Sequence, residues 1–284
     1  MNTFEELAAS DVPDVALGAA LIARDAYANL DVNALLARFD ELAAPLIGQD
    51  LGSKNAADAA GAISRHLYET VGFSGNESDY YDPRNSLLSD VLERRSGIPI
   101  SLALVYCEVA RRAGVRAEGV AFPGHFLVRV FGVAEPPKAG GANSDVRSEV
   151  LVDPFYRGRI LDDAALSALL ERVAGQASVK DPRVTAEMTA AASPRAFLTR
   201  WLLNLRGVYL TRGDLPRAML AVDRLVSLNP NDRGLIRDRG LLAARLGVTA
   251  QAREDLSRAL ALDPSSEEIR AELAKLDTKP SAAN

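Results

Sequence analysis

The chain has 284 residues, 48% hydrophobic and 25% charged, which is enough apolar material for a sizeable core and too much for a disordered protein. A formal net charge of -5 supplies no basic field, which argues against nucleic acid or an anionic membrane as partner. The single cysteine, Cys107, allows no intrachain disulfide and too few thiolates for a cysteine-built metal site, so neither metal nor cofactor is expected.

The start, MNTFEELAASDVPD, is acidic and lacks the basic and apolar regions of a signal peptide. With no apolar run near the ~20 residues needed to cross a bilayer, a soluble cytoplasmic protein is expected. Residues 1–75 read as a helical region. Leu35, Leu36, Phe39, Leu42 and Ala43 recur at three and four spacing, Asp31 fits as a cap before them and Gly48 as a stop. His66 sits on the third helix, with no carboxylate or cysteine cluster beside it, and reads as an interface or surface histidine.

FSGNESDYYDPR, from Phe73, is rich in turn formers and reads as a loop. Asn85 and Ser86 then fit as caps for a helix LLSDVLERRSG ending at Gly97. Its last turn, Glu93, Arg94 and Arg95, suits either an anion or a solvated helix end. After Pro99 the run SLALVYCEVARRAG is a mostly buried helix with Ser101 in its first turn. Ser101 has two readings there, a nucleophile in the positive end of the helix dipole or a helix cap.

Val115–Val120 reads as a short strand before the turn Phe122, Pro123, Gly124. His125–Phe131 alternates as a strand, the Pro/Gly-rich run over 133–148 reads as a mobile loop, and Val150–Asp153 returns. If His125 opposes Asp153 their Cα atoms lie about 5 Å apart. Asp153 then orients the imidazole as a base, and Ser101 completes a nucleophile, base and orienter set. Cys107 is a less favoured nucleophile, because helix geometry turns it ~120° around and ~9 Å along from Ser101.

LDDAALSALLERVAG reads as a short helix, and the domain boundary is expected between Ala174 and Phe197. Beyond it a period of 34 aligns Gly213 with Gly247, Ala218 with Ala252, Val222 with Leu256, Leu228 with Leu262 and Pro230 with Pro264. That is the tetratricopeptide period, with SEEIRAELAKL as a capping helix and TKPSAAN as a frayed tail.

GFSGNESDYYDPRNSLLSDVLERRSGIPISLALVY, GVAFPGHFLVRV and LVDPFYRGRIL, followed by the repeats, give the chain a clear likeness. It resembles the SirB-type branch of the transglutaminase-like superfamily. The resemblance implies an α+β, papain-like domain, helices packed on a small antiparallel sheet, followed by an all-α tetratricopeptide segment. The elements read along the chain divide it into a helical region over 1–75, a core over 76–175, a connector over 176–195, repeats over 196–276 and a disordered tail over 277–284. In such domains a Cys at a helix start, a His and an Asp perform the chemistry; here the matching positions look like Ser101, His125 and Asp153. A serine in place of the thiol favours a protein- or peptide-binding or regulatory protein with a degenerate site and repeats that recruit a partner. The alternative is an acyl-transfer enzyme or hydrolase acting on amide or ester bonds.

Overall fold

A computed structural model describes residues 3–133, 148–174 and 182–278. The chain divides into two compact units, Asp14–Leu198, and Met1–Pro13 together with Thr199–Asn284. The expected mobile loop over 133–148 and the tail over 277–284 fall almost wholly outside the described residues, as does part of the 176–195 connector.

In the Asp14–Leu198 unit, helices Val15–Ala26 and Val32–Ala43 start where Asp14 and Asp31 accept hydrogen bonds from Leu17 N and Ala34 N, the latter as the sequence suggests. The second ends at Ala43, before Gly48, in a 3-10 turn over Ala44–Leu46. The third helical stretch is two elements, an α-helix Ala56–Ser64 and a π-helix Arg65–Val71 ended by Gly72 at φ 90°. Two short strands, β1 (Ser74–Gly75) and β2 (Ser96–Gly97), pair in parallel around the helix Leu88–Arg94. Asn85 and Ser86 do not cap that helix, as the sequence reading supposed; its cap residue is Leu87, with no side-chain bond. The helix ends at Arg95, at φ 53°, because the next residues are claimed by β2.

The main sheet is antiparallel, β3 (Ala117–Val120), β4 (Leu127–Gly132), β5 (Ser148–Asp153) and β6 (Arg159–Leu161), in that spatial order. One face carries Val120, Leu127, Leu151 and Leu161 against Leu166, Leu169 and Leu170 of the helix Asp163–Ala174. Strand alternation puts Val128, Val130 and Val152, all wholly buried, on the other face, toward the helices Ala56–Ser64 and Pro99–Arg112. Burying each valine contributes about 1.5–3 kcal/mol. Gly132 belongs to this face because a Cβ there would lie 2.2 Å from the backbone nitrogen of Ala56.

The β4–β5 register pairs Val128 with Val152 and Arg129 with Leu151, which corrects the expectation that His125 stands opposite Asp153. His125 lies before β4, and the register is displaced by two residues. Since side chains alternate with a period of two, that displacement leaves the two residues on the same side of the sheet.

In the other unit, helices Leu215–Leu228 and Thr249–Leu262 begin 34 residues apart and have equal length. Each follows a glycine in the left-handed region, Gly213 at φ 73° and Gly247 at φ 77°. Ala218, Ala252, Val222 and Leu256 are fully buried, where paired helices meet. Gly240 of the helix Arg233–Leu246 lets Leu256 approach, since a Cβ would lie 2.8 Å from its Cγ. Arg239 then donates to both carboxylate oxygens of buried Asp255, at 2.7 and 2.6 Å.

Candidate functional site

His125 follows the turn Phe122, Pro123, Gly124, in which Gly124 takes φ 71° and His125 N donates to Phe122 O at 3.0 Å. The turn places the imidazole at the end of β4, mostly buried, with Nε2 donating to Asp153 Oδ2 at 2.8 Å. A carboxylate can only accept, so Nε2 supplies the hydrogen, and Nδ1 is the ring nitrogen that Asp153 does not engage.

Asp153 ends β5, and Pro154 stops the strand from continuing. Its second oxygen accepts hydrogen bonds from the backbone nitrogens of Phe155 and Tyr156, at 3.0 and 3.2 Å. The carboxylate is therefore fixed by its own turn before it meets the imidazole. Beneath the turn, Gly158 sits so close to Tyr68 and Ser64 that a Cβ would overlap both. Burial pushes the Tyr68 phenol well above its ordinary pKa, and Tyr106 and Asp153 add to the rise, so it stays protonated.

Ser101 lies elsewhere in the network. Its hydroxyl is completely buried, accepts from Ile98 N at 3.0 Å, and faces the carbonyls of Asn85 and Ile98 at 2.8 and 3.0 Å. The structure brings His125 and Asp153 together and joins Ser101 to neither by a hydrogen bond. Gly97 leaves the space the hydroxyl occupies, since a Cβ there would stand 2.4 Å from Ser101 Oγ. Through Asn85 the hydroxyl reaches the NESDYYDPRN loop. Asn85 Nδ2 donates to Asp79 O and Tyr80 O, and Asn76 Nδ2 donates to Asn85 Oδ1. Asp82 pairs with Arg84 at 2.7 Å and Arg94 at 3.6 Å.

Cys107 is not among the residues lining the cavity beside His125. Burial, reinforced by Glu108 and Glu118, pushes its thiol far up and disfavours the thiolate. His66 donates from Nε2 to Leu42 O at 2.7 Å, a bond between two helical stretches. Of the suggested anion-binding turn, Arg94 faces Asp82, and Arg95 donates to Val71 O at 2.8 Å. Among the described residues no group of three or more His, Cys, Asp or Glu is arranged to hold a metal ion.

A cavity of about 530 Å³ opens beside His125, walled by Pro99, Phe122, Tyr80, Phe155 and Tyr156, with Glu77 and Arg172 also on its lining. Phe155 meets both Tyr80 and Tyr156 edge-on, with centroids 6.0 and 5.2 Å apart. His125 stands 6.4 Å from Phe155 and 6.2 Å from Tyr156. The sequence reading named none of these aromatics as site residues. The signals available were the doubled tyrosine in a polar loop and the Phe-Tyr pair directly after Asp153-Pro154. The residue that the helix mouth contributes to the lining is Pro99, which carries no nucleophile.

A family model described as transglutaminase-like superfamily matches residues 31–203, and one for a tetratricopeptide repeat matches residues 205–276. A UPF0162 protein of Xylella fastidiosa (strain 9a5c) is 40% identical over 256 residues, covering 88% of this chain and 84% of the relative. A UPF0162 protein of Pseudomonas aeruginosa is 34% identical over 237 residues, with 83% and 80% covered. F-box only protein 21 of Mus musculus is 33% identical over 190 residues, which is 66% of this chain but 28% of that protein. A transglutaminase-like region and the helical repeats that follow it in the chain are thus matched in order, and the chain belongs to the transglutaminase-like superfamily, among its SirB-type UPF0162 proteins.

Proposed function

We propose that this protein binds a peptide or protein partner, its transglutaminase-like domain keeping the His125–Asp153 pair as part of a binding cleft that lacks a reacting nucleophile. The observation that carries the reading is the state of Ser101, whose hydroxyl is fully buried and spent on Ile98 and Asn85, while Pro99 takes the helix-mouth place beside His125 in the cavity. Aromatic walls suit adhesion to a peptide, because they present large rigid surfaces at little entropic cost. The repeats supply a second surface for a protein partner. The mild acidic charge disfavours nucleic acid, and no helix among the described residues is long and apolar enough to cross a membrane; we place the protein in the cytoplasm.

A serine-reactive fluorophosphonate probe tests this. No labelling of the wild type is expected; labelling that vanishes in both Ser101→Ala and His125→Ala would overturn the reading in favour of an acyl-transfer enzyme or hydrolase. The observation on that rival's side is the 2.8 Å pair itself, which is the orientation a general base needs. A displayed peptide library gives the positive arm: enriched peptides should bind the wild type and be lost in Tyr156→Ala.

A further inference from the structure

In the unit that holds the repeats, residues Thr3–Ser10 lie against the helix Leu215–Leu228 as a ligand lies on a receptor. Thr3 accepts a hydrogen bond from Glu6 N and caps a five-residue helix, Phe4–Ala8. Its apolar side, Phe4 at 1% exposure and Leu7 at 0%, is buried, and Glu5 and Glu6 are exposed. Arg224 holds this piece twice, by an ion pair with Glu5 and by placing its guanidinium 5.2 Å from the centroid of the Phe4 ring. So short a helix has almost no stability of its own. It is helical because the repeats bury one side of it.

We infer that the Leu215–Leu228 helix is a docking site for a short acidic amphipathic helix of the pattern Phe-Glu-x-Leu, occupied within this chain by residues 3–9 and open to a partner segment of the same chemistry. This narrows the proposal that the repeats bind protein. The two apolar anchors three residues apart are what a helix lays into a groove, and Arg224 adds a charge test for the residue between them. The tethered segment acts at an effective concentration on the order of mM, so a partner gains the site only by binding better than this internal copy.

The experiment uses the full chain with Phe4→Ser and Leu7→Ser, which vacates the site, and a fluorescein-labelled peptide of sequence MNTFEELAASDV read by anisotropy. The vacated protein, shown folded by its circular dichroism, should bind the peptide at least about tenfold more tightly than the wild type does. Adding Arg224→Glu should weaken binding about tenfold, and a peptide carrying Glu5→Arg should recover it. A folded, vacated protein that ignores the peptide, or a swapped pair that recovers nothing, overturns the inference. If the double variant does not fold, hydrogen exchange on the wild type decides. The amides of Leu7 and Ala9, bonded to Thr3 O and Glu5 O within their own turn, should exchange by local release well before those of the Leu215–Leu228 helix. Exchange of both together would show an integral part of the core and sink the idea. Failure here would remove this docking site and leave the nucleophile question, which the covalent probe answers, where it stood.

Discussion

Replacing Ser101 with alanine separates a structural hydroxyl from a chemical one. The side chain is 0% exposed, so no water replaces what is removed. Two partners lose a bond: Ile98 N, which donates to Oγ at 3.0 Å, and the Asn85 carbonyl, which accepts from it at 2.8 Å. At about 1 kcal/mol per neutral bond the loss is ~2 kcal/mol, and more if either backbone group remains unsatisfied. For a unit of this size that lowers the melting temperature by roughly 4–8 °C. Thermal unfolding followed by far-ultraviolet circular dichroism measures it directly. His125→Ala, which removes a side chain still 14% exposed, serves as a comparison from the cavity wall. A Ser101→Ala protein melting within about 1 °C of the wild type would refute the assignment of this hydroxyl to the scaffold and return it to the list of reactive groups.

Three further outcomes are expected. Asp255→Ala removes the bidentate partner of Arg239 in a site where the carboxylate is 2% exposed, leaves Arg239 with Asp223 at 3.5 Å, and should destabilise the repeats by about 1.5–3 kcal/mol in denaturant titration. Cys107 should react slowly with a thiol reagent at pH 8 in the native protein and rapidly in denaturant, because burial disfavours its thiolate; equal rates would contradict this. For Asp82, burial works to raise the carboxyl pKa, but the hydrogen bonds from Arg84 and the charges of Arg84 and Arg94 outweigh it, so the net shift is downward. A carboxylate lowered on folding stabilises the protein above its unfolded pKa, about 3.9, and that gain is lost as pH falls through the folded value. The melting-temperature gap between wild type and Arg84→Gln should therefore be open at pH 7 and close on the acid side of about pH 4.

Features written in short-range chemistry could be read from the chain. Asp31 caps its helix where a small acceptor precedes an apolar periodicity, and the 34-residue period delivers two equal helices after matched glycines. His125 and Asp153 also meet, even though the assumed register was two residues off, because displacement by an even number preserves the face. Ser101 could not be resolved in that way. A nucleophile and a backbone-satisfying hydroxyl both require a small polar residue in the first turn, and the choice depends on Asn85, sixteen residues away, whose carbonyl the loop turns inward. The π-turn over Arg65–Val71 has no periodic signature in seven residues, and three-residue β6 is too short to alternate visibly. The aromatic cavity escaped for a similar reason. Tyr80 meets Phe155 across segments far apart in the chain, where Gly75 of β1 lies against Phe155 and Asn85 holds the Tyr80 carbonyl.

The place of Pro99 has a consequence for anyone who would build a catalyst on this scaffold. Installing a thiol at Ser101 would seat it in a closed pocket of backbone carbonyls, where Gly97 leaves little spare room and no substrate can enter. The position from which a new reactive group would look into the cavity alongside His125 is Pro99, at the first residue of the helix, where a proline is replaceable without loss of a backbone hydrogen bond. Design by chain alignment alone would mutate the serine; design from the packing would begin two residues earlier.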